Sequence, residues 1–379
     1  METTAQHLIH LRQLLHTYPE LSGDEKKTAA YIYGFLKKLN PDQLINEIGG
    51  EGILALFDSG KPGPVLLFRA DMDALPIQEV NDFPHKSVHE GVSHKCGHDG
   101  HTTILCGLAE KLSEQKPATG KVYLLFQPAE ETGEGAAKVV NDPNFNIKPY
   151  YVFALHNLPG YEVGNIVMKD GLFSAAVNSI IIKLKGKTAH AAEPEFGFNP
   201  AKAISEIISL GGGLNHNVPE DKNFQLVTPV HINMGTTAYG ISAGEAELHY
   251  TLRCWDNERL RKLETTLVEQ SKSIADKYNL QFAHEFTQTF FANNNDKDAN
   301  DVVREAAKQN NFTVEEKPVP FKWAEDFGYF TSTYKGCMFG LGAGKDQPAL
   351  HNPDYDFPDS ITTTGINIFH SITKIVLNN

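Results

Sequence analysis

The sequence predicts an α/β fold, an open mixed sheet covered by helices, that carries an inserted ferredoxin-like (β-α-β-β-α-β) domain. Three observations predict it. Short apolar runs alternate with amphipathic helical patterns through the first half; the middle switches to longer alternating strands around two helices; the helix–strand alternation then returns. A chain of 379 residues also exceeds one typical domain, so two are expected, the first split by the second.

The elements follow in order. Residues 1–21 read as an amphipathic stretch whose helix covers about 4–18, with Leu8, Leu11 and Leu15 on one face, and a second helix covers 25–39. A β-rich run at 52–57 and a buried strand at 65–68 come next. Helix resumes after His101, with Thr102 as its cap before Ile104, Leu105, Leu108 and Leu112. A strand at 122–126 stops at Pro128, and another at 151–155 stops before His156. Short apolar strands of this kind belong to a sheet buried on both faces.

The middle differs. Residues 179–185 alternate as a strand, Asn199 caps and Pro200 opens a helix to about Leu210, and 224–233 and 245–254 are strands. A long amphipathic helix at 258–278 and a strand at 280–286 complete the set. The expected division is therefore 1–175 with 290–379 as one discontinuous domain and 176–289 as the insert. The polar tract 293–301 reads as the returning linker, before a helix from Val302, a strand at 337–341, a glycine-rich loop and a last helix from about Ser360.

A net charge of −13 argues against a nucleic acid or an anionic membrane as partner, since both require a basic face. No stretch is long enough to span a bilayer, and the N-terminus lacks the basic and apolar regions of a leader. The four cysteines show no CxxC spacing, which suits a reducing cytoplasm better than a disulfide scaffold.

In open α/β sheets, ligands bind beyond the carboxyl ends of the strands. After 65–68 come Arg69, Asp71 and Asp73; after 122–126 come Glu130 and Glu131; after 151–155 comes His156; after 337–341 a glycine loop leads to His351. The densest cluster is Cys96-Gly97-His98-Asp99-Gly100-His101, where Cys96 and His98, two apart, can address one volume while the glycines allow tight turning. Thiolate and imidazole are ligands for zinc-like ions. A lone Cys–His pair more often marks a reduced buried cysteine beside surface histidines, and the convergence with acids at the other strand ends is what reverses that reading. Adjacent glutamates on an extended segment point in opposite directions, so Glu130 and Glu131 suit separate tasks, one binding metal and the other taking a proton from water. Cys96, His98, a glutamate, His156 and His351 together make five ligands, which fits two ions better than one closed structural site. Asp71 and Asp73 are candidates for fixing a ligand histidine's tautomer, and Asp99 shares their ambiguity with an ordinary turn residue.

Residues 68–77 (FRADMDALPI), Cys96–His101, Phe126-Gln127-Pro128-Ala129-Glu130-Glu131, His156, Lys187-Thr188-Ala189-His190-Ala191-Ala192, Glu325-Asp326-Phe327 and Leu350-His351-Asn352-Pro353 together resemble the amidohydrolase branch of the aminoacylase/carboxypeptidase metallopeptidase superfamily. That branch includes hippurate hydrolases, indole-acetyl-amino acid hydrolases and N-acetyl-diaminopimelate deacetylases. Leu15-His16 and Pro19-Glu20-Leu21 fit it too, and the motifs fall in the family's order across nearly the whole chain. The resemblance implies a catalytic domain with two divalent ions (Zn, Mn, Ni or Co) and a smaller lid that can mediate a homodimer. It implies Cys96, His98, Glu131, His156 and His351 as metal ligands, Glu130 as general base, and His190 as a lid histidine aiding substrate or oxyanion binding. Asp71 stands where peptidase-type relatives carry a metal-binding histidine, and the segments 238–245 and 157–160 depart from the family's usual pattern near the substrate. The expected reaction is hydrolysis of the amide bond of small N-acyl-L-amino acids, with Arg253 or Lys187 as candidate partners for the substrate carboxylate, although a basic residue in such a place is more often solvated. The rival readings are a dipeptidase or carboxypeptidase using the same ions, a non-catalytic metal-binding protein of this fold, and a structural zinc protein.

Overall fold

In the computed structural model, which describes residues 4–377, the chain folds as two units. One runs through Phe173 and resumes over Asn293–Pro318 and from Glu325 on; the other is Ser174–Ala292 with Val319–Ala324. The first three positions of the predicted amphipathic stretch lie outside the described residues.

The larger unit begins with α1 (Thr4–Thr17) and α2 (Lys26–Lys38), followed by β1 (Gln43–Ile48), β2 (Gly52–Asp58) and β3 (Val65–Asp71). Next come α3 (His98–Glu114), β4 (Lys121–Gln127), α4 (Gly135–Val140), β5 (Tyr151–Pro159), β6 (Ile166–Met168) and β7 (Gly171–Ser174). The smaller unit holds β8 (Ala176–Lys185), β9 (Ala189–His190), α5 (Ala201–Gly213), β10 (Gln225–Met234), β11 (Ile241–Ser242), β12 (Glu245–Cys254), α6 (Asn257–Lys277) and β13 (Gln281–Phe290). The chain returns through β14 (Asn293–Asn295), α7 (Lys297–Gln309), β15 (Val314–Glu316), α8 (Gly328–Thr331), β16 (Gly336–Gly344) and α9 (Thr362–Leu377).

The main sheet has the order β1-β2-β4-β3-β5-β16-β6-β15. Strands β3, β4, β5 and β16 run parallel, whereas β1–β2, β2–β4 and β6–β16 are antiparallel pairs. The sheet is therefore mixed. Nearly every residue of β2, β4, β5 and β16 is buried, which requires cover on both faces and explains why these strands read as continuous apolar runs. Phe68 of β3 packs on Phe153 of β5 and Phe369 of α9, with ring centroids 5.6 and 4.9 Å apart, tying sheet to helix layer.

The smaller unit is a four-stranded antiparallel sheet in the order β10-β12-β8-β13. In chain order those strands are numbers two, three, one and four around two helices, which is the ferredoxin-like connectivity. Alternate residues of β12 are buried, and α5 and α6 each turn an apolar face inward, through Ile204 and Ile207 and through Leu260, Leu263 and Leu267. The Asp256 carboxylate caps α6 by accepting the N–H of Arg259 at 2.7 Å.

Several element readings change. Helix α3 begins at His98 rather than after His101, because left-handed Gly97 (φ +91°) turns the chain directly into it. Thr102 is thus inside the helix, its hydroxyl donating to the Asp71 carbonyl at 2.8 Å. Strand β3 extends through Arg69 and Asp71, and β5 continues through His156 because its pairing with β16 runs on, His156 opposite Gly340 and Asn157 opposite Leu341. The tract 293–301 is no linker: Asn293–Asn295 pairs as β14 with β7, and α7 starts at Lys297. Its polar side chains work inside the fold, Asn295 exchanging two hydrogen bonds with the backbone of Met338 and Asp296 capping α7. No helix among the described residues is long and apolar enough to cross a membrane.

Candidate metal centre

The centre lies at the carboxyl ends of β3, β4 and β5, beside the start of α3. Gly97 makes the convergence of Cys96 and His98 sterically feasible, since a Cβ there would lie 2.6 Å from the Asn157 side-chain oxygen. The donor atoms of Cys96, His98 and His156 lie within 4.8 Å of one another, as do those of Cys96, Glu131 and His351 and those of His98, Glu130 and Glu131. Six residues expected at the site are therefore brought together from four segments.

Hydrogen bonds select which nitrogen of each histidine is available. His98 Nδ1 meets two acceptors, the backbone oxygen (3.0 Å) and carboxylate Oδ1 (3.1 Å) of Asp73, so that nitrogen carries the hydrogen. Its buried Nε2 has no hydrogen-bond partner and lies 3.8 Å from Glu131 Oε1 and 3.9 Å from Glu130 Oε2. His156 Nδ1 donates to the Asn157 carbonyl at 2.9 Å, leaving Nε2 facing the Cys96 sulfur at 3.5 Å. His101 has no such freedom: Nε2 accepts the Asn157 N–H and Nδ1 donates to Asp71. His351 is half-exposed, holds a left-handed backbone (φ +67°) and places Nε2 3.6 Å from Glu131 Oε1. Its N–H donates to the carbonyl of Lys95, whose buried ammonium bonds Glu79 and the Tyr355 carbonyl, so one residue ties the His351 loop at two points.

The electrostatics call for cations. Burial disfavours charge on His98, but Asp71 and Asp73 outweigh it and hold its pKa up at about 10. Burial raises the Glu131 pKa to about 7, with His98 partly opposing, and burial with Glu325 and Glu131 keeps Glu130 well above the usual carboxylate range. Burial and the two glutamates raise the Cys96 thiol likewise. Acids thus outnumber the fixed cations, and the buried Nε2 of His98 and Oε1 of Glu131 lack partners. One sulfur, three imidazoles and a carboxylate in such a field fit divalent zinc-like ions.

Around this set, Arg69 binds Asp71 at 2.6 Å, Gln127 at 2.9 Å, Glu325 at 2.8 Å and also Asp326, while the Asp326 N–H donates to Glu130 Oε1 at 3.2 Å. Asp73 serves His98, whereas Asp71 serves His101 and Arg69. Asp99 faces elsewhere, joining His16 (2.8 Å) and Arg12 (3.5 Å) in a buried ionic cluster. Both nitrogens of His16 are engaged there, by Asp99 and Glu79.

Glu130 and Glu131 do not diverge as an extended segment would require. Ala129 is left-handed (φ +54°), and the turn after it brings both carboxylates near His98. The roles of Arg69, Lys95 and His16 were not evident in the sequence, where only the motif around Arg69 and the Leu15-His16 pair carried a signal. His190 and Arg253 belong to the smaller unit. His190 is exposed on β9, which pairs with β11, and its Nδ1 accepts the Ala192 N–H. Arg253 on β12 donates to the Lys322 carbonyl at 2.8 Å and has no ion pair among the described residues. Burial lowers its pKa.

A model of Peptidase family M20/M25/M40 matches residues 67–374. The chain is 32% identical over 384 residues to the N-acetyl-L-cysteine deacetylase of Bacillus subtilis (strain 168), covering 100% of this chain and 90% of that one. It is 30% identical over 371 residues to the N-acetyldiaminopimelate deacetylase of Bacillus pumilus (strain SAFR-032), covering 97% and 98%. Among solved structures it is similar to a dinuclear metal-binding peptidase from Bacillus subtilis, with a TM-score of 0.83, 28% identity, and coverage of 100% of this chain and 99% of that one.

Proposed function

The chain belongs to peptidase family M20/M25/M40, and from that premise we propose that it hydrolyses the amide bond of small N-acyl-L-amino acids, releasing a carboxylic acid and an amino acid. It is a metal-dependent amidohydrolase, related to enzymes named as deacetylases. One observation carries the metal-assisted part of this reading: the acid-rich cluster of Cys96, His98, Glu131, His156 and half-exposed His351 has Glu130 on its border, 3.9 Å from His98 Nε2.

Cys96, His98, Glu131, His156 and His351 would hold two divalent ions. When bound, such ions polarise a carbonyl and lower the pKa of a water toward neutrality. Glu130 is the general base: its carboxylate takes the proton of the attacking water and returns it to the leaving nitrogen. The Asp326 N–H fixes one oxygen of Glu130, Oε1, and Oε2 is the oxygen on the His98 side. Asp73 keeps the His98 hydrogen on Nδ1, so its Nε2 lone pair stays available. His190 supplies a donor for the developing oxyanion, and the guanidinium of Arg253, which has no acid partner among the described residues, binds the substrate carboxylate.

In the smaller unit β10 is an edge strand with Val230, Ile232 and Met234 exposed, which supports a homodimer through that strand. Four free cysteines support a cytoplasmic setting. The test is a hydrolysis screen of N-acetyl and N-benzoyl amino acids against dipeptides, run after chelation and after add-back of Zn, Mn, Ni or Co. Glu130→Gln should cost roughly two to four decades of turnover with metal content retained. Preference for dipeptides, or near-normal turnover by E130Q, overturns the reading. Light scattering checks the dimer.

A further inference from the structure

Glu25 has no part in the chemistry above, yet it is fully buried at the cap of α2. Its Oε1 accepts the backbone N–H of Ala129 at 2.8 Å, across 104 positions of sequence, and its Oε2 has no hydrogen-bond partner. A buried carboxylate is costly wherever it sits, so the distant group it binds is informative. That group is unusual in its own right. Ala129 is a left-handed alanine (φ +54°), 3% exposed, immediately before Glu130 and Glu131. Its carbonyl accepts the Gly135 N–H at 3.0 Å, and the Glu130 carbonyl accepts the Gly133 N–H at 2.7 Å, so the chain turns back at once. As a result two consecutive side chains reach the same nitrogen, Glu130 Oε2 at 3.9 Å and Glu131 Oε1 at 3.8 Å from His98 Nε2.

We infer that Glu25 is a positioning residue: its carboxylate holds Ala129 in the left-handed conformation, and that turn aims Glu130 and Glu131 into one site. This rests on the reading of Glu130 as base and Glu131 as ligand. The physical basis is conformational. Left-handed backbone is disfavoured for alanine roughly 5- to 30-fold against right-handed backbone, whereas glycine carries no such penalty. Removing the acceptor leaves that bias unopposed and the Ala129 N–H unpaired.

The experiment uses the metal-loaded full chain. Glu25→Leu should lower kcat by roughly 5- to 30-fold with a much smaller change in KM, and metal should leave at lower chelator concentration. Glu25→Gln keeps an oxygen for the Ala129 N–H and should stay near wild type. Adding Ala129→Gly to E25L should restore kcat and metal retention, because glycine holds the turn without the carboxylate, whereas adding Asn311→Gly, at a left-handed position outside the site, should restore neither, a split that a change in general stability does not produce. If E25L does not fold, Glu25→Asp, one methylene short of Ala129, reads the same loss, and A129G must restore it. Unchanged kcat and metal retention in E25L, or a defect that A129G deepens, overturns the inference. A wild-type chain inactive on every N-acyl amino acid, with the same pattern of metal retention, would overturn the proposed reaction and leave this assignment standing.

Discussion

Replacing His16 by glutamine should change how the stability of this protein depends on pH. The imidazole is fully buried, 2.8 Å from Asp99 and 3.0 Å from Glu79, with Arg12 and Asp356 close by. Burial opposes a charge on the ring, but the bonds to Asp99 and Glu79 overcome it and raise the pKa from 6.5 to about 9. Because the folded value lies above the unfolded one, the native state binds the proton more tightly. The stabilisation is present in full below pH 6.5 and is lost as pH climbs through 9. Its size over that window is on the order of 3 kcal/mol. His16→Gln keeps a donor but cannot titrate. Urea unfolding of the metal-loaded protein at pH 6, 7.5 and 9.5 should show wild type ahead of H16Q at pH 6, with the gap closing by about that amount at the alkaline end. A gap that stays constant with pH, or widens, refutes an imidazolium at this position.

Three further outcomes follow from the geometry. Asp73→Asn removes the carboxylate that orients His98 and should weaken metal binding about 10- to 100-fold, read by competition with a chromophoric chelator. Lys95→Met keeps the stem but loses the bonds to Glu79 and the Tyr355 carbonyl; if His351 is a ligand as proposed, its ion should then leave first on chelation, seen as half stoichiometry by elemental analysis. Gly97→Ala forces alanine to φ +91° with its Cβ against Asn157, so stability should fall by roughly 2–4 kcal/mol in denaturant and metal content should drop with it.

What could be read in advance depended on how local the cause was. The spacing Cys96-Gly97-His98 and the acids after β3 and β4 are properties of short segments, so they were visible as candidate ligands. The order of strands and helices in the smaller unit was visible for the same reason, since each element carries its own periodicity. The direction of Glu130 and Glu131 was not visible: it follows from a left-handed alanine bonded to a side chain 104 residues earlier. Buried ions were equally hidden. Arg12 is held by Asp359 across 347 positions and Arg69 by Asp326 across 257, so nothing near either residue marks it as internal. The tract around Asn293–Asn300 misled because asparagine side chains can replace a missing strand neighbour, and polar composition alone resembles a loop.

Strand β16 lies between β5 and β6, both translated long before it, and His351 follows only after that strand. On the ribosome, then, β5 and β6 emerge with their facing edges open and stay so while the whole of the smaller unit is synthesised. Such edges invite pairing with other chains until β16 closes them. On the proposed ligand set, metal capture comes last, since a nascent chain halted before residue 351 lacks His351.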